Sequence, residues 1–161
     1  MNTTTLSTAG NARGGIAEAE RRDALASQPW LDLIARMLVG VLFIVYGLLQ
    51  ATKYAFYVGY MTKFGVPLPE LLLAPTIALE VGGGAMIVLG WKMRWAALAL
   101  AAWVIVVTLF FHRYWELEAA QAAVQMGNFF KNLALAGGLL YMYFHGAGAW
   151  SVDAKQRKAA D

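Results

Sequence analysis

Four long apolar runs, separated by short polar connections, constrain the fold of this chain most strongly. They cover about residues 31–56, 71–90, 95–112 and 128–145. A helix needs about 20 apolar residues to cross the hydrocarbon core of a bilayer, and each run is near that length. The pattern therefore predicts an all-α integral membrane protein built as a bundle of four transmembrane helices.

The composition agrees with insertion into a membrane. Hydrophobic residues make up 60% of the 161 residues and charged residues only 14%, whereas soluble domains carry about 25% charged residues. A soluble protein of this size has too much surface to cover with so few charges.

Several kinds of site are excluded by the residues that the sequence lacks. There is no cysteine, so disulfides, thiol catalysis and cysteine-held metals within the chain are ruled out. The two histidines, His112 and His145, fall at opposite ends of the predicted bundle, which excludes haem ligation by both and predicts no metal site. No P-loop, dinucleotide fingerprint or nucleophile elbow occurs. The remaining chemistry is that of an organic ligand.

The polar segments predict tails and an orientation. Residues 1–28 have the composition of a disordered tail, residues 29–153 form the membrane domain, and residues 154–161 form a short basic tail. Lysine and arginine predict an inner-membrane protein with both termini cytoplasmic. The cations assigned to the cytoplasmic side are Arg21, Arg22, Lys92, Arg94, Lys155, Arg157 and Lys158, and those assigned to the other side are Lys53, Lys63 and Arg113, with Lys131 nearby.

Glu80 stands in the otherwise apolar stretch "IALEVGGGAMIVLG". A charge at the bilayer centre costs about 2.5–3.5 kcal/mol on insertion scales, so such a residue usually faces the bundle interior and is paired. A rise of about 1.5 Å per residue places Glu80 and Lys131 at similar depths, and Lys131 is therefore the expected partner. The expected polar neighbours are Tyr46, Gln50 and Asn132, with His112 and Asn128 in the next layer.

This constellation has two interpretations. As a ligand or proton pocket, Glu80, Lys131 and His112 suit a quinone, whose headgroup needs hydrogen bonds and a proton path and whose tail needs access to lipid. A small-anion or polar-solute pathway would use the same residues. As a structural pair, Glu80 and Lys131 would lock the register of two helices. The remaining polar positions are secondary: Arg36 is expected to extend to lipid headgroups, and Lys53 and Arg113 to anchor the interface.

Several stretches, read in order, resemble the DoxX family of small bacterial membrane proteins. They cover about residues 33–153 and are "RMLVGVLFIVYGLLQATKY", "FGVPLPELL", "ALEVGGGAMIVLGWKMRWAALALA", "FFHRYW", "QMGNFFKNLALAGGLL" and "GAGAWSVD". The family's typical polar positions match Arg36, Lys53, Glu80, His112, Lys131 and Asn132. The resemblance implies four membrane helices and a loose link to oxidoreductases, since related DoxD proteins are the membrane part of a thiosulfate:quinone oxidoreductase and DoxX proteins are associated with thiol and oxidative-stress systems.

The sequence thus predicts a quinone-interacting subunit or accessory of an oxidoreductase system, at most the membrane subunit of such a complex. It predicts no covalently bound cofactor and no nucleic-acid partner. A soluble or peripheral redox partner would supply the chemistry that the chain lacks, and the small-residue stripes fit internal packing and a homo-oligomer equally well. The alternative is a non-enzymatic membrane scaffold or small-solute carrier, in which Glu80 and Lys131 form a lock or gate.

Overall fold

The computed structural model describes residues 28–160, and all regular structure within them is helical. This confirms the all-α class. The predicted disordered tail falls, except for Gln28, outside the described residues. The helices are α1 (Pro29–Thr52), α2 (Tyr54–Lys63), α3 (Pro69–Leu89), α4 (Met93–Phe111), α5 (Ala119–His145) and α6 (Val152–Ala160), with a 3-10 turn at Tyr114–Glu116.

Three stretches within residues 28–160 are long and apolar enough to cross a membrane: α1, α3 and Met93–Glu116. The longest helix, α5, has 27 residues but is not one of these three stretches, because polar residues interrupt its apolar sequence. Those residues are Gln121, Gln125, Asn128, Lys131 and Asn132. That α5 forms a fourth span remains a prediction.

The long helices pack in a row that follows the chain. The most extensive contacts join α1 to α3 and α4 to α5, and α3 packs on α4 between them. Among the described helices, α1 and α5 do not pack on each other to a comparable extent. The buried core lies along the middle of the row and includes Phe43, Ile87, Leu100, Val104 and Leu139.

The backbones of α1 and α3 come into direct contact where the two helices cross. A Cβ added at Gly84 would lie 2.7 Å from the carbonyl oxygen of Gly40, and one at Gly40 would lie 2.7 Å from the carbonyl oxygen of Gly84. Only glycine permits two helices to approach so closely. This crossing fixes α3, and therefore Glu80, against α1.

Two helix boundaries differ from the sequence prediction. The first run was predicted as one helix to residue 56, but Lys53 leaves the helical conformation (φ −116°, ψ 39°) and separates α1 from α2. The last helix begins at Ala119, well before residue 128, because the alanine- and glutamine-rich segment that precedes residue 128 also favours a helix.

The C-terminal segment folds back against the starts of α1 and α4. The Asp153 carboxylate accepts hydrogen bonds from the backbone N–H of Lys92 at 2.7 Å and of Met93 at 3.2 Å, which caps the first turn of α4. We call the end of the bundle that carries Gln28 and Ala160 the terminal end, and the end that carries α2 and the 3-10 turn the distal end.

Arg36 does not extend to lipid headgroups as predicted. Its side chain is 2% exposed, its guanidinium donates to the carbonyl oxygen of Trp150, and its Nε donates to the carbonyl oxygen of Asp32 at 3.4 Å. The returning C-terminal segment covers this face of α1, so Arg36 joins α1 to that segment instead.

Candidate functional site

A cavity of about 500 Å³ lies where α1, α3, α4 and α5 face one another, toward the distal half of the bundle. We call it the polar cavity. It contains all six residues that were predicted to form a ligand or proton pocket, which are Tyr46, Gln50, Glu80, His112, Lys131 and Asn132. Asn128 and an apolar set that includes Phe43, Trp103 and Leu135 complete its wall. Helix rise alone was enough to place these polar residues at compatible depths.

Glu80 is 8% exposed, and neutral donors hold its carboxylate. Gln50 Nε2 donates to Oε2 at 2.6 Å, and Trp103 Nε1 donates to Oε1 at 3.2 Å. Two donors, one for each oxygen, compensate in part for removing the carboxylate from water. They also fix the plane of the carboxylate against α1 and α4.

The predicted ion pair between Glu80 and Lys131 is not formed. Over residues 28–160, the ion pair within 4.0 Å is that of Arg113 with Glu116, at 3.3 Å. Lys131 lies on α5, which packs mainly on α4, so it lines the same cavity as Glu80 without reaching it. Similar depth along the helices says nothing about position around the bundle.

Trp103 was missed by the sequence interpretation. It lies in the middle of an apolar run, away from the interfaces where tryptophan usually forms a belt. A buried indole N–H generally needs an acceptor, and this was the signal available in the sequence. Trp103 also lines an apolar groove of about 370 Å³ between α3 and α4, so it borders both that groove and the polar cavity.

His112 closes the polar cavity at the distal end. It caps α4, where its backbone N–H donates to the carbonyl oxygen of Thr108 at 3.0 Å. Its Nδ1 lies 2.7 Å from Oε1 of Gln125 on α5. Gln125 lines a second, open cleft of about 640 Å³, which we call the vestibule. The bond between His112 and Gln125 therefore stands between the vestibule and the polar cavity.

The secondary polar residues lie elsewhere. Arg36 is at the terminal end, Lys53 is an exposed residue between α1 and α2, and Arg113 lines the vestibule, where it pairs with Glu116. Aromatic rings surround the vestibule: Tyr60 stacks on Phe111 with centroids 5.5 Å apart, and Phe64 contacts both.

The polar cavity can therefore offer several kinds of hydrogen bond to one small organic headgroup. Lys131 is a cationic donor, the two asparagines donate and accept, and Glu80 and His112 supply acceptor atoms. No group of three or more histidine, aspartate or glutamate side chains that could hold a metal ion occurs in the described part of the chain.

These features define a small, multi-pass helical membrane protein with a polar cavity at membrane depth. The DoxX family model matches residues 31–113, and the SURF4 family model matches residues 75–159. The chain belongs to the DoxX family and is a multi-pass protein of the inner membrane.

Two bacterial relatives are similar over most of their length, and a yeast relative is similar over a shorter part. Inner membrane protein YphA of Escherichia coli is 33% identical over 128 residues, which cover 80% of this chain and 91% of the relative. Inner membrane protein YqjF of the same organism is 36% identical over 121 residues, covering 75% and 88%. A Surfeit locus protein 4 homolog of Schizosaccharomyces pombe is 32% identical over 81 residues, covering 49% and 27%. No solved structure matches the chain.

Proposed function

We propose that this protein is a quinone-interacting subunit or accessory of an oxidoreductase system. The observation that supports the proposal best is the polar cavity. Its volume of about 500 Å³ falls within the range of about 300–1,000 Å³ that is usual for small-molecule pockets. Because α1 and α5 do not pack closely on each other, an isoprenoid tail would pass between them into lipid while the headgroup stays in the cavity.

The residues of the cavity match the needs of a quinone headgroup. Lys131 and the amide of Asn132 donate to ring oxygens, and Glu80 and His112 accept from ring hydroxyls or exchange protons with them. Since the chain has no cysteine, thiol redox chemistry belongs to a soluble or peripheral partner. The chain itself would bind and orient the quinone and provide groups that move protons.

Mass spectrometry of the lipids that co-purify with the protein tests this proposal. We expect quinone in stoichiometric amount with the wild type and a loss of about tenfold or more with Glu80→Gln, because a hydrogen bond to a charged group is removed. Glu70→Gln is the matched control, since Glu70 is an exposed glutamate of the same helix, and it should retain the quinone. Circular dichroism and gel filtration would verify that each variant is folded. No enrichment of quinone in the wild type would overturn a resident quinone site.

We further propose that α5 is a fourth span and that both termini are cytoplasmic. A helix of 27 residues is about 40 Å long, which exceeds the hydrocarbon thickness of about 30 Å. Three of its polar residues, Asn128, Lys131 and Asn132, line the polar cavity. The terminal end carries Lys92, Arg94, Lys155, Arg157 and Lys158, against Lys53, Lys63 and Arg113 at the distal end, which favours a cytoplasmic terminal end.

Single cysteines introduced into this cysteine-free chain test the orientation. We expect a membrane-impermeant maleimide to label Gln121→Cys, at the start of α5, in spheroplasts, and to label Gln156→Cys in α6 only after lysis. Lys63→Cys at the distal end is the reference and should behave as Gln121→Cys does. Labelling of all three variants in intact spheroplasts would contradict both the fourth span and the cytoplasmic termini.

The adjoining vestibule favours a second candidate, a small-solute carrier. The polar cavity and the vestibule are separated by the bond between His112 and Gln125, so a change of those two side chains would join them into one path. Solute flux into proteoliposomes that Glu80→Gln abolishes, without quinone in the purified protein, would support the carrier.

A further inference from the structure

Gln125 is the hydrogen-bond partner of the His112 ring. Its Oε1 lies 2.7 Å from Nδ1 of the imidazole, and an amide oxygen can only accept a hydrogen bond. With the amide oxygen facing the ring in this way, it is Nδ1 that carries the proton. In a neutral imidazole only one ring nitrogen is protonated, so Nε2 keeps its lone pair.

The ring lies at the border between the polar cavity and the vestibule. His112 lines the polar cavity, whereas its partner Gln125 lines the vestibule. Gln125 occupies Nδ1, so Nε2 is the ring nitrogen that remains for a ligand. His112 is the residue that caps α4. Its backbone N–H donates to the carbonyl oxygen of Thr108 and its ring contacts Gln125, so both the backbone and the side chain of His112 are held in place.

We propose that Gln125 holds His112 in this tautomer and thereby makes the polar cavity prefer a hydroquinone, whose ring carries hydroxyl groups, over the corresponding quinone, whose ring carries carbonyl groups. This inference rests on the proposed function and identifies which form of the ligand the site prefers. Gln125 is a positioning residue, since it acts on the ligand through His112.

The selection follows from hydrogen-bond complementarity. A hydroquinone O–H donates to Nε2 of His112, whereas a quinone carbonyl presents its own lone pair to that nitrogen. To bind the carbonyl, His112 would have to move its proton to Nε2 and lose the bond to Gln125. Lys131 and Asn132 can donate to either form of the ring and therefore do not discriminate between the two. One net hydrogen bond corresponds to a preference of about fivefold.

The first measurement is the tautomer itself, which does not depend on any ligand. The chain has two histidines, so ¹⁵N NMR of the histidine-labelled full chain in nanodiscs gives two ring signals, and His145→Gln assigns them. We expect His112 to be protonated at Nδ1 in the wild type. In Gln125→Leu the proton should redistribute toward Nε2. Protonation at Nε2 in the wild type would overturn the inference.

The second measurement compares the affinities of a short-chain hydroquinone and its quinone, under anaerobic conditions. We expect the preference for the hydroquinone to be about fivefold greater in the wild type than in Gln125→Leu. Gln121→Leu is the matched control, because Gln121 lines the same vestibule one turn earlier, and it should keep the preference. Equal binding of both forms by a wild type protonated at Nδ1 overturns this inference alone. Binding of neither form overturns the proposed function, and the selection with it.

Discussion

Gly84→Ala is expected to destabilise the protein by about 1–3 kcal/mol, the usual cost of overpacking a close contact. The new methyl group would lie 2.7 Å from the carbonyl oxygen of Gly40, 3.0 Å from Cγ1 of Ile44 and 3.1 Å from Cβ of Phe43. A flexible side chain can turn away from such a contact, but a backbone carbonyl cannot. The two helices must therefore move apart, and the wall of the polar cavity that carries Glu80 moves with them.

Gly82→Ala is the matched control for this prediction. Gly82 lies in the same helix, but an added Cβ there would meet nothing within 4 Å, so we expect a change below about 0.5 kcal/mol. Unfolding of both variants should be followed in the same detergent by circular dichroism. Equal stability of the two variants would show that α1 and α3 do not cross at Gly40 and Gly84 as described.

The long helices could be predicted because apolar length is a local property of the sequence. The same is true of depth: a constant rise per residue placed Tyr46, Glu80 and Lys131 at compatible heights, and the structure brings all three to one cavity. The position of each helix around the bundle is not local, since it depends on which neighbours pack together. That is why Lys131 was assigned to Glu80, while Trp103 on the adjacent α4 was overlooked.

Arg36 illustrates the same limit at the terminal end. Its acceptor, the carbonyl oxygen of Trp150, is 114 residues away in the sequence. The stretch "GAGAW" indicates a turn after α5, and Gly146 and Gly148 do adopt positive φ angles of 83° and 70°, which glycine adopts at little cost. The direction that the chain takes after this turn depends on how the helices pack. The sequence pattern of α1 therefore does not reveal that Arg36 will meet this segment.

The donors to Glu80 are expected to matter for stability, whereas Lys131 is not. Gln50→Leu and Trp103→Phe should each destabilise the protein by about 1–2 kcal/mol, because each leaves one oxygen of a buried carboxylate without a donor. Lys131→Met should change stability by less than about 0.5 kcal/mol, since its ammonium group forms no ion pair with Glu80. Thermal unfolding in one detergent, at a pH near 7, gives the three values.

Double-mutant cycles separate these contacts from simple loss of packing. Glu80→Leu combined with Trp103→Phe should show a coupling energy above about 0.5 kcal/mol, whereas Glu80→Leu combined with Lys131→Met should be additive. Coupling of Lys131, with recovery of stability in the double variant, would mean that the ion pair forms in the membrane after all. Additivity would show that Lys131 is a cation in the polar cavity that does not contribute to stability. This is the behaviour expected of a residue whose role is to bind a ligand. Loss of co-purified quinone from a Lys131→Met variant of unchanged stability would then link the stability measurements to the lipid analysis. It would show that Lys131 contributes to quinone binding and not to folding.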